Sequence, residues 1–273
     1  MSTAGSVLPS PTEGESLMFE APRPGGDAPL APSLPTRRDE TWRYSDLEAV
    51  ARVWPVETHT HVVAPGETFA RDILVEGGAD AVTIEDHALE LGAGATARIN
   101  VVVAPGRLGR VFLKVRMGER AHLSLNGVVV AGGTSTGEIV TRILHAEPDA
   151  TSTQTVRAIL SGQATGSYLG KVAVARDAQR TDGSQSVKAM LLDRTATANL
   201  KPELEIYADD VKCAHGATVG ELDRQSLFYL ASRGLPPADA KALLLRAFVG
   251  GLFEGDEAEP LRAAVDRALE RVL

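Results

Sequence analysis

The chain has 273 residues, of which 44% are hydrophobic and 23% charged, a composition typical of folded globular proteins that bury a substantial core. Aromatic residues make up only 4%, so we expect that core to consist of Val, Ile, Leu and Ala. The formal net charge of −8, with no run of Lys or Arg, argues against a protein that binds nucleic acid by neutralising phosphates.

Residues 1–35 are predicted to form a flexible Pro/Gly-rich tail. They contain seven of the 15 prolines and show no apolar periodicity, a composition that cannot offset the entropy cost of chain ordering. The first residues lack the basic and apolar segments of a secretory signal, and no apolar run approaches the ~20 residues that span a bilayer. The chain has a single cysteine, which fits a reducing compartment. We therefore expect a cytoplasmic protein without a membrane segment.

Residues 36–55 are predicted to form a short N-terminal helical segment. A helix is expected from about Asp46 to Val53, with Ser45 as its N-cap. Pro55 would end it. We interpret this segment as a cap that packs on the end of the β region and covers an exposed coil.

Residues 56–220 are predicted to form the β core. Short aliphatic runs such as "ARINVVVA", "GRVFLKVRM" and "HLSLNGVVVAG" alternate with turn residues, which is the pattern of strands and turns. A β-sandwich and a β-solenoid both produce it. Turn segments marked by five alanines recur at spacings of about 18 to about 29 residues, which favours the stacked coils of a solenoid. The alanines are Ala95, Ala121, Ala150, Ala178 and Ala196.

Residues 221–273 are predicted to form a C-terminal region of three α-helices. Asp223 is expected to be the N-cap of the first helix, and Gly234 to follow its last turn. The other two helices carry broad apolar faces. We interpret them as a second end cap or as a docking face for a partner.

The segment "ADDVKCAHGAT", residues 208–218, contains the only cysteine of the chain. If a bend at Asp209–Asp210 separates two strands, Cys213 and His215 share one face of the second strand. A thiolate and an imidazole can bind a soft or borderline metal, but two ligands do not complete a site. The alternative is that Cys213 is a small buried hydrophobe. A Cys–His nucleophile pair is disfavoured, because no orienting Asn or Asp is evident.

Other motifs indicate no catalytic or cofactor-binding residue. His59 and His61, in "THTH", would lie on one face of a strand, and we interpret them as a solvated edge. The "GAGA" segment at residues 92–95 lacks the strand and helix context of a dinucleotide site. No Walker-type loop is present, so the chain is not expected to be a P-loop ATPase.

Two segments resemble a known family. "KPELEIYADDVKCAHGATVGELDRQSLFYLASRGLPPADA", residues 201–240, is similar to the C-terminal signature of the SufB/SufD family, the scaffold subunits of the SUF iron–sulfur cluster assembly machinery. The segment is more similar to the SufD branch than to the SufB branch, because the SufB branch typically reads "EHEATTSKI" where this chain has "CAHGATVGELD". The segment "RRDETWRYSDL", residues 37–47, also resembles the entry segment of the SufD branch.

The resemblance implies a mostly β fold: a right-handed parallel β-helix (β-solenoid) core between a short N-terminal helical segment and a C-terminal α-helical region. It implies a non-enzymatic scaffold that pairs with SufB through the ends of the β-helix and binds the ATPase SufC on its C-terminal helices. A homodimer is an alternative state in isolation. By motif, Cys213 and His215 fall at the SufB interface. There, His215 is the better candidate to hold a transient iron–sulfur cluster shared with SufB, and Cys213 could lie opposite a SufB cysteine.

Two other classes of function remain as alternatives. A carbohydrate-active β-helix enzyme would require clustered carboxylates on adjacent coils, and the sequence shows no such cluster. A metal-binding protein would hold stoichiometric metal without a partner.

Overall fold

The computed structural model describes residues 33–273, and the predicted tail of residues 1–35 lies almost entirely outside them. The described part is mainly β-strand. In chain order the strands are β1 (Thr58–Val63), β2 (Thr68–Glu76), β3 (Val82–Leu91), β4 (Thr96–Ala104), β5 (Leu108–Met117), β6 (His122–Ala131), β7 (Thr136–His145), β8 (Thr151–Leu160), β9 (Thr165–Val174), β10 (Thr181–Leu191), β11 (Thr197–Ile206) and β12 (Val211–Glu221).

The strands form two six-stranded parallel sheets. Sheet A has the order β1-β3-β5-β7-β9-β11, and sheet B has the order β12-β10-β8-β6-β4-β2. In-register partners on neighbouring strands lie 26 to 32 residues apart along the chain. Each coil therefore contributes one strand to each sheet, and about six coils stack into a solenoid. This confirms the predicted β-solenoid and excludes the sandwich.

The alanine markers show how the sequence encodes the coils. Ala95, Ala121, Ala150 and Ala178 are fully buried, and each lies in the turn that leads from sheet A to sheet B. Their spacings of 26, 29 and 28 residues are coil lengths. Ala196 lies in a turn from sheet B back to sheet A, so the shorter final spacing joins two different corners of the solenoid.

The N-terminal segment lies across the outer face of sheet A instead of capping an end. Helix α1 (Leu47–Val50) packs Ala49 and Val50 against Leu108 of β5. The helix is shorter than predicted. Its N-cap is Asp46, whose side chain accepts a hydrogen bond from the Ala49 amide, and the prediction of Ser45 as the cap is wrong.

The Ser45 side chain belongs to a buried polar cluster instead. Its hydroxyl donates to Glu138 Oε2 over 2.7 Å. Arg110 Nη1 donates to the same oxygen over 2.6 Å, in an ion pair whose side chains are 0% and 1% exposed. The Arg110 guanidinium also stacks over the Trp42 ring at 3.9 Å. These contacts hold the segment on sheet A.

The C-terminal region contains three helices, as predicted. They are α2 (Arg224–Ser232), α3 (Pro237–Val249) and α4 (Glu259–Val272). The Asp223 side chain caps α2 by accepting from the amides of Gln225 and Ser226. Within residues 33–273, no helix has the length and apolar composition needed to cross a membrane.

Helices α3 and α4 cover the outer face of sheet B, so the prediction of an end cap is wrong. Val102 and Val128 of the sheet and Leu245 and Leu269 of the helices belong to one buried apolar cluster. The runs "NVVVA" in β4 and "GVVVA" in β6 are apolar on both faces of the strand, because one face lines the solenoid interior and the other contacts the helices. Both ends of the solenoid are therefore left uncovered by these helices.

Candidate functional site

Strand β12 carries Cys213 and His215 at the edge of sheet B. Among the described strands, β12 is hydrogen-bonded to β10 alone, and β11 is likewise the last strand of sheet A. The final coil therefore has two strands whose outer backbone edges are not paired with any strand of residues 33–273. Such edges can accept the strands of another chain.

A bend at Asp209–Asp210 leads into β12, as predicted. The Asp210 carbonyl accepts a 2.6 Å hydrogen bond from the Arg180 amide, and the Asp210 amide donates to Gln179 Oε1 over 2.9 Å. The bend is thereby stacked on the turn of the preceding coil. It sets the register of β12 against β10, in which Cys213 pairs with Gly183.

Cys213 and His215 face the solenoid interior at its open end. His215 is in register with Gln185, which is 2% exposed and belongs to the interior. Cys213 is half-buried and packs against the main core, whereas His215 is exposed. Cys213 therefore contacts the core and lies on the same open face as the imidazole of His215.

Burial raises the pKa of the Cys213 thiol above its usual value. A hydrogen bond with the Gly183 backbone lowers this pKa, and the negative charge of Asp182 raises it. The protonated thiol is therefore the dominant form near neutral pH. Activated cysteine nucleophiles have the opposite property, a lowered pKa. Cys213 becomes a good metal ligand only when a bound cation displaces its proton.

Beneath the open coil, the solenoid interior contains a network of buried polar side chains. Tyr168 OH lies 3.1 Å from Gln154 Oε1 and 2.9 Å from Gln185 Oε1. Thr141 donates to Gln154 over 2.7 Å. Gly170 leaves the space for these contacts, because a Cβ there would lie 2.2 Å from the Tyr168 hydroxyl. The network fixes Gln185 under His215.

A second group of buried polar side chains, the pair His145 and Ser152, lies near Cys213. His145 Nε2 is 2.8 Å from Ser152 Oγ, and both side chains are buried. Gly183 separates Ser152 from Cys213: a Cβ on it would lie 3.6 Å from Ser152 Oγ and 3.4 Å from Cys213 Sγ. The sequence analysis identified neither the Tyr168 network nor the His145–Ser152 pair. Polar residues at the interior positions of "STQTVRAIL" and "DGSQSVKAM" could have indicated them.

Comparison with known proteins identifies the family. A family model described as "SUF system FeS cluster assembly, SufBD core domain" matches residues 67–248. The chain belongs to the SufBD family. The matched region extends from the start of β2 into α3, and it includes Cys213, His215 and the polar network beneath them.

Three relatives illustrate the similarity. The chain is 36% identical over 148 residues to the iron–sulfur cluster assembly protein SufD of Escherichia coli, a match that covers 54% of this chain and 35% of the relative. It is 32% identical over 176 residues to a SufBD family protein of Synechocystis, covering 64% and 39%. It is 35% identical over 153 residues to the chloroplastic protein ABCI7 of Arabidopsis thaliana, covering 55% and 32%. The matches thus span about a third to two fifths of the length of these relatives.

The opposite end of this SufBD solenoid carries the histidines of "THTH". The prediction of a solvated edge holds for His59, which is exposed, but not for His61, which is half-buried. The His61 ring packs against Phe69 with centroids 5.1 Å apart. His87 of β3 lies beside both histidines and is 1% exposed.

No three His, Cys, Asp or Glu side chains in residues 33–273 are already arranged as a metal site. At the C-terminal end, Cys213 and His215 supply two ligand types on one face. A cluster bound there would need ligands in addition to these two.

Proposed function

We propose that this SufBD chain is a non-catalytic scaffold subunit that pairs with SufB and holds one side of a nascent iron–sulfur cluster. The observation that carries the proposal is the open final coil, whose unpaired strands present Cys213 and His215 on one face. The cluster is the cargo of the complex. The chemical steps of its assembly belong to other components.

Pairing with SufB would satisfy the free backbone groups of β11 and β12. A strand added to each sheet would make main-chain hydrogen bonds along the unpaired edges. Burial of exposed apolar side chains on this coil, such as Val219 at 52% exposure and Ile206 at 39%, would add hydrophobic stabilisation. A second copy of this chain could occupy the same surface when SufB is absent.

The paired interface would complete the ligand set. His215 is exposed and can move toward a cluster, whereas Cys213 is held against the core. Imidazole and thiolate both bind iron, and the remaining ligands would come from SufB. His215 is therefore the better candidate for the ligand from this chain.

Helix α2 is the best candidate to bind the ATPase SufC. None of its side chains is buried. Phe228 and Tyr229 are 76% and 56% exposed, and exposed aromatic residues often provide the central contacts of protein interfaces. Helices α3 and α4 are anchored on sheet B, so they give α2 a rigid base.

Co-expression with SufB and SufC followed by size-exclusion chromatography tests the proposal. The expected result is a complex that contains all three chains. A chain that elutes alone in the presence of both partners would contradict it.

Val219→Asp is expected to lower the affinity for SufB at least about tenfold. The side chain lies on the same face of β12 as Cys213 and His215 and is 52% exposed, so a carboxylate there disturbs the interface and leaves the core intact. Val62→Asp is the matched control, because Val62 is a 73% exposed valine on the edge strand at the other end of the solenoid. Isothermal titration with SufB measures both variants. Equal loss for the two would refute the C-terminal interface.

His215→Ala is expected to leave folding and SufB binding near wild type and to reduce the yield of assembled cluster severalfold. The reason is that the exposed imidazole makes little contact with the core. Absorbance of the reconstituted complex near the iron–sulfur charge-transfer bands measures the yield. Cys213→Ser is expected to have a smaller effect, and a large fall in its melting temperature would indicate a structural role for the thiol. Unchanged yield in His215→Ala would exclude this histidine as a ligand.

A further inference from the structure

The first coil of the solenoid carries a cluster of histidines around one carboxylate. His59 and His61 lie on β1, and Glu85 and His87 lie on β3. His59 is directly in register with His87. Residues 85 and 87 have the same parity on β3, so the carboxylate shares a face with the three imidazoles. This cluster is at the opposite end of the solenoid from Cys213 and His215.

The ligand atoms of this cluster are spaced like neighbours in a coordination sphere. Glu85 Oε2 lies 3.3 Å from His87 Nε2 and 3.8 Å from His59 Nε2. With bonds of about 2.0–2.1 Å to a tetrahedral metal, neighbouring ligand atoms lie about 3.3 Å apart. The rings of His59 and His87 have centroids 5.2 Å apart, so neither has to move far to share a cation.

Two buried nitrogens in the cluster make no hydrogen bond. His87 Nε2 and His61 Nε2 are both buried and unpartnered, although buried polar atoms in native proteins normally have a partner. His87 Nε2 approaches the Glu85 carboxylate without hydrogen-bond geometry.

We propose that His59, Glu85 and His87 bind a divalent transition-metal ion such as Zn²⁺ or Co²⁺, with His61 beside the site. The side chains do not yet converge on one centre. His59 and Glu85 are 48% and 33% exposed and can change rotamer, whereas buried His87 is held in place. Imidazole and carboxylate ligands are the set that such ions prefer.

Arg71 on β2 provides an internal test of this assignment. It has the same parity on β2 as Ile73 and Val75, which belong to the solenoid core. Its positive charge therefore faces the same interior as His61 and His87 and must oppose a bound cation. Removing that charge is therefore expected to strengthen metal binding, whereas removing a ligand is expected to weaken it. A merely structural histidine cluster would show neither effect.

Titration of the full chain with Co²⁺, followed by its visible d–d absorbance and by calorimetry, tests the proposal. One equivalent is expected to bind. His59→Ala should weaken binding about tenfold or more, while Arg71→Gln should strengthen it severalfold. His59 is exposed, so its replacement leaves the fold intact, which circular dichroism verifies. His87→Asn is the second ligand variant.

Two controls separate this site from the rest of the molecule. His122→Ala removes an exposed histidine that is bonded to Thr151 on sheet B, and it should bind Co²⁺ like the wild type. The Cys213→Ser, His215→Ala double variant should also bind normally, because those residues lie at the other end. The proposal is overturned if the wild type binds no Co²⁺, if His59→Ala binds it unchanged, or if the double variant loses it.

Discussion

Arg110→Met is expected to destabilise the protein by about 3–5 kcal/mol, the cost of leaving one partner of a buried ion pair alone. Glu138 is 1% exposed, and in the variant its carboxylate would retain only the Ser45 hydroxyl as a hydrogen-bond donor. A loss of this size is a large part of the ~5–15 kcal/mol that stabilises a typical domain. Denaturant unfolding followed by circular dichroism measures it.

The same substitution should release the N-terminal segment. Arg110 donates a 2.7 Å hydrogen bond to the Thr41 carbonyl and stacks on Trp42. The chain has two tryptophans, Trp42 and Trp54, which lie edge to face with centroids 5.7 Å apart. Because both belong to this segment, tryptophan fluorescence reports its detachment separately from unfolding of the solenoid.

A double variant distinguishes the buried charge from simple loss of packing. In Arg110→Met, Glu138→Leu both charges are absent, so most of the lost stability should return. The native pair is not fully satisfied, since Arg110 Nε has no hydrogen-bond partner. If the double variant is less stable than Arg110→Met alone, the argument from an unpaired charge fails. Asp266→Ala, which breaks the exposed pair with Arg246, should change stability little.

Acidification from pH 7 to pH 4 is expected to remove about 3 kcal/mol of stability through His145 alone. Burial lowers the pKa of His145 from 6.5 to about 4. Below pH 6.5 the unfolded chain therefore binds a proton that the native state does not bind. The free energy of unfolding falls as the pH drops through this window and levels off below pH 4, where the native state is protonated as well.

Comparison of the wild type with His145→Gln isolates the contribution of His145 to the pH dependence of the unfolding free energy. The pKa values of His61 and His87 are also lowered by burial, but those residues remain in both proteins. The difference in unfolding free energy between wild type and variant should therefore shrink as the pH falls from 6.5 to 4. His122→Gln is the control for an exposed histidine. Parallel curves for wild type and His145→Gln would show that His145 does not carry the effect.

At the β12 site, the local sequence pattern predicted the strand and the shared face but not the place of the strand in its sheet. The spacing of Cys213 and His215, with acids at 209–210 that suit a bend, was enough to predict a strand that carries both side chains on one face, because alternation is a local property of the backbone. That β12 is the last strand of its sheet, and that Gln185 lies beneath His215, depends on residues about 30 positions away along the chain.

The errors at Ser45 and at the helices have a common cause. Ser45 has the properties of an N-cap, but its hydroxyl is used by Glu138, 93 residues further along the chain. The apolar faces of α3 and α4 were evident from the sequence, whereas the surface that they cover was not, since residues far apart along the chain form that surface. Only the tertiary fold selects between such partners.

The sequence by itself determined the pattern of short strands and turns, the aliphatic core, the capped start of α2 and the family signature of residues 201–240, because these depend on alternation, turn chemistry and motif within one coil or less. The tertiary structure decided which coil stays open, which polar side chains lie buried beneath it, and that His59, Glu85 and His87 meet at the other end. Those features arise from stacking successive coils, which brings together residues that no local pattern connects.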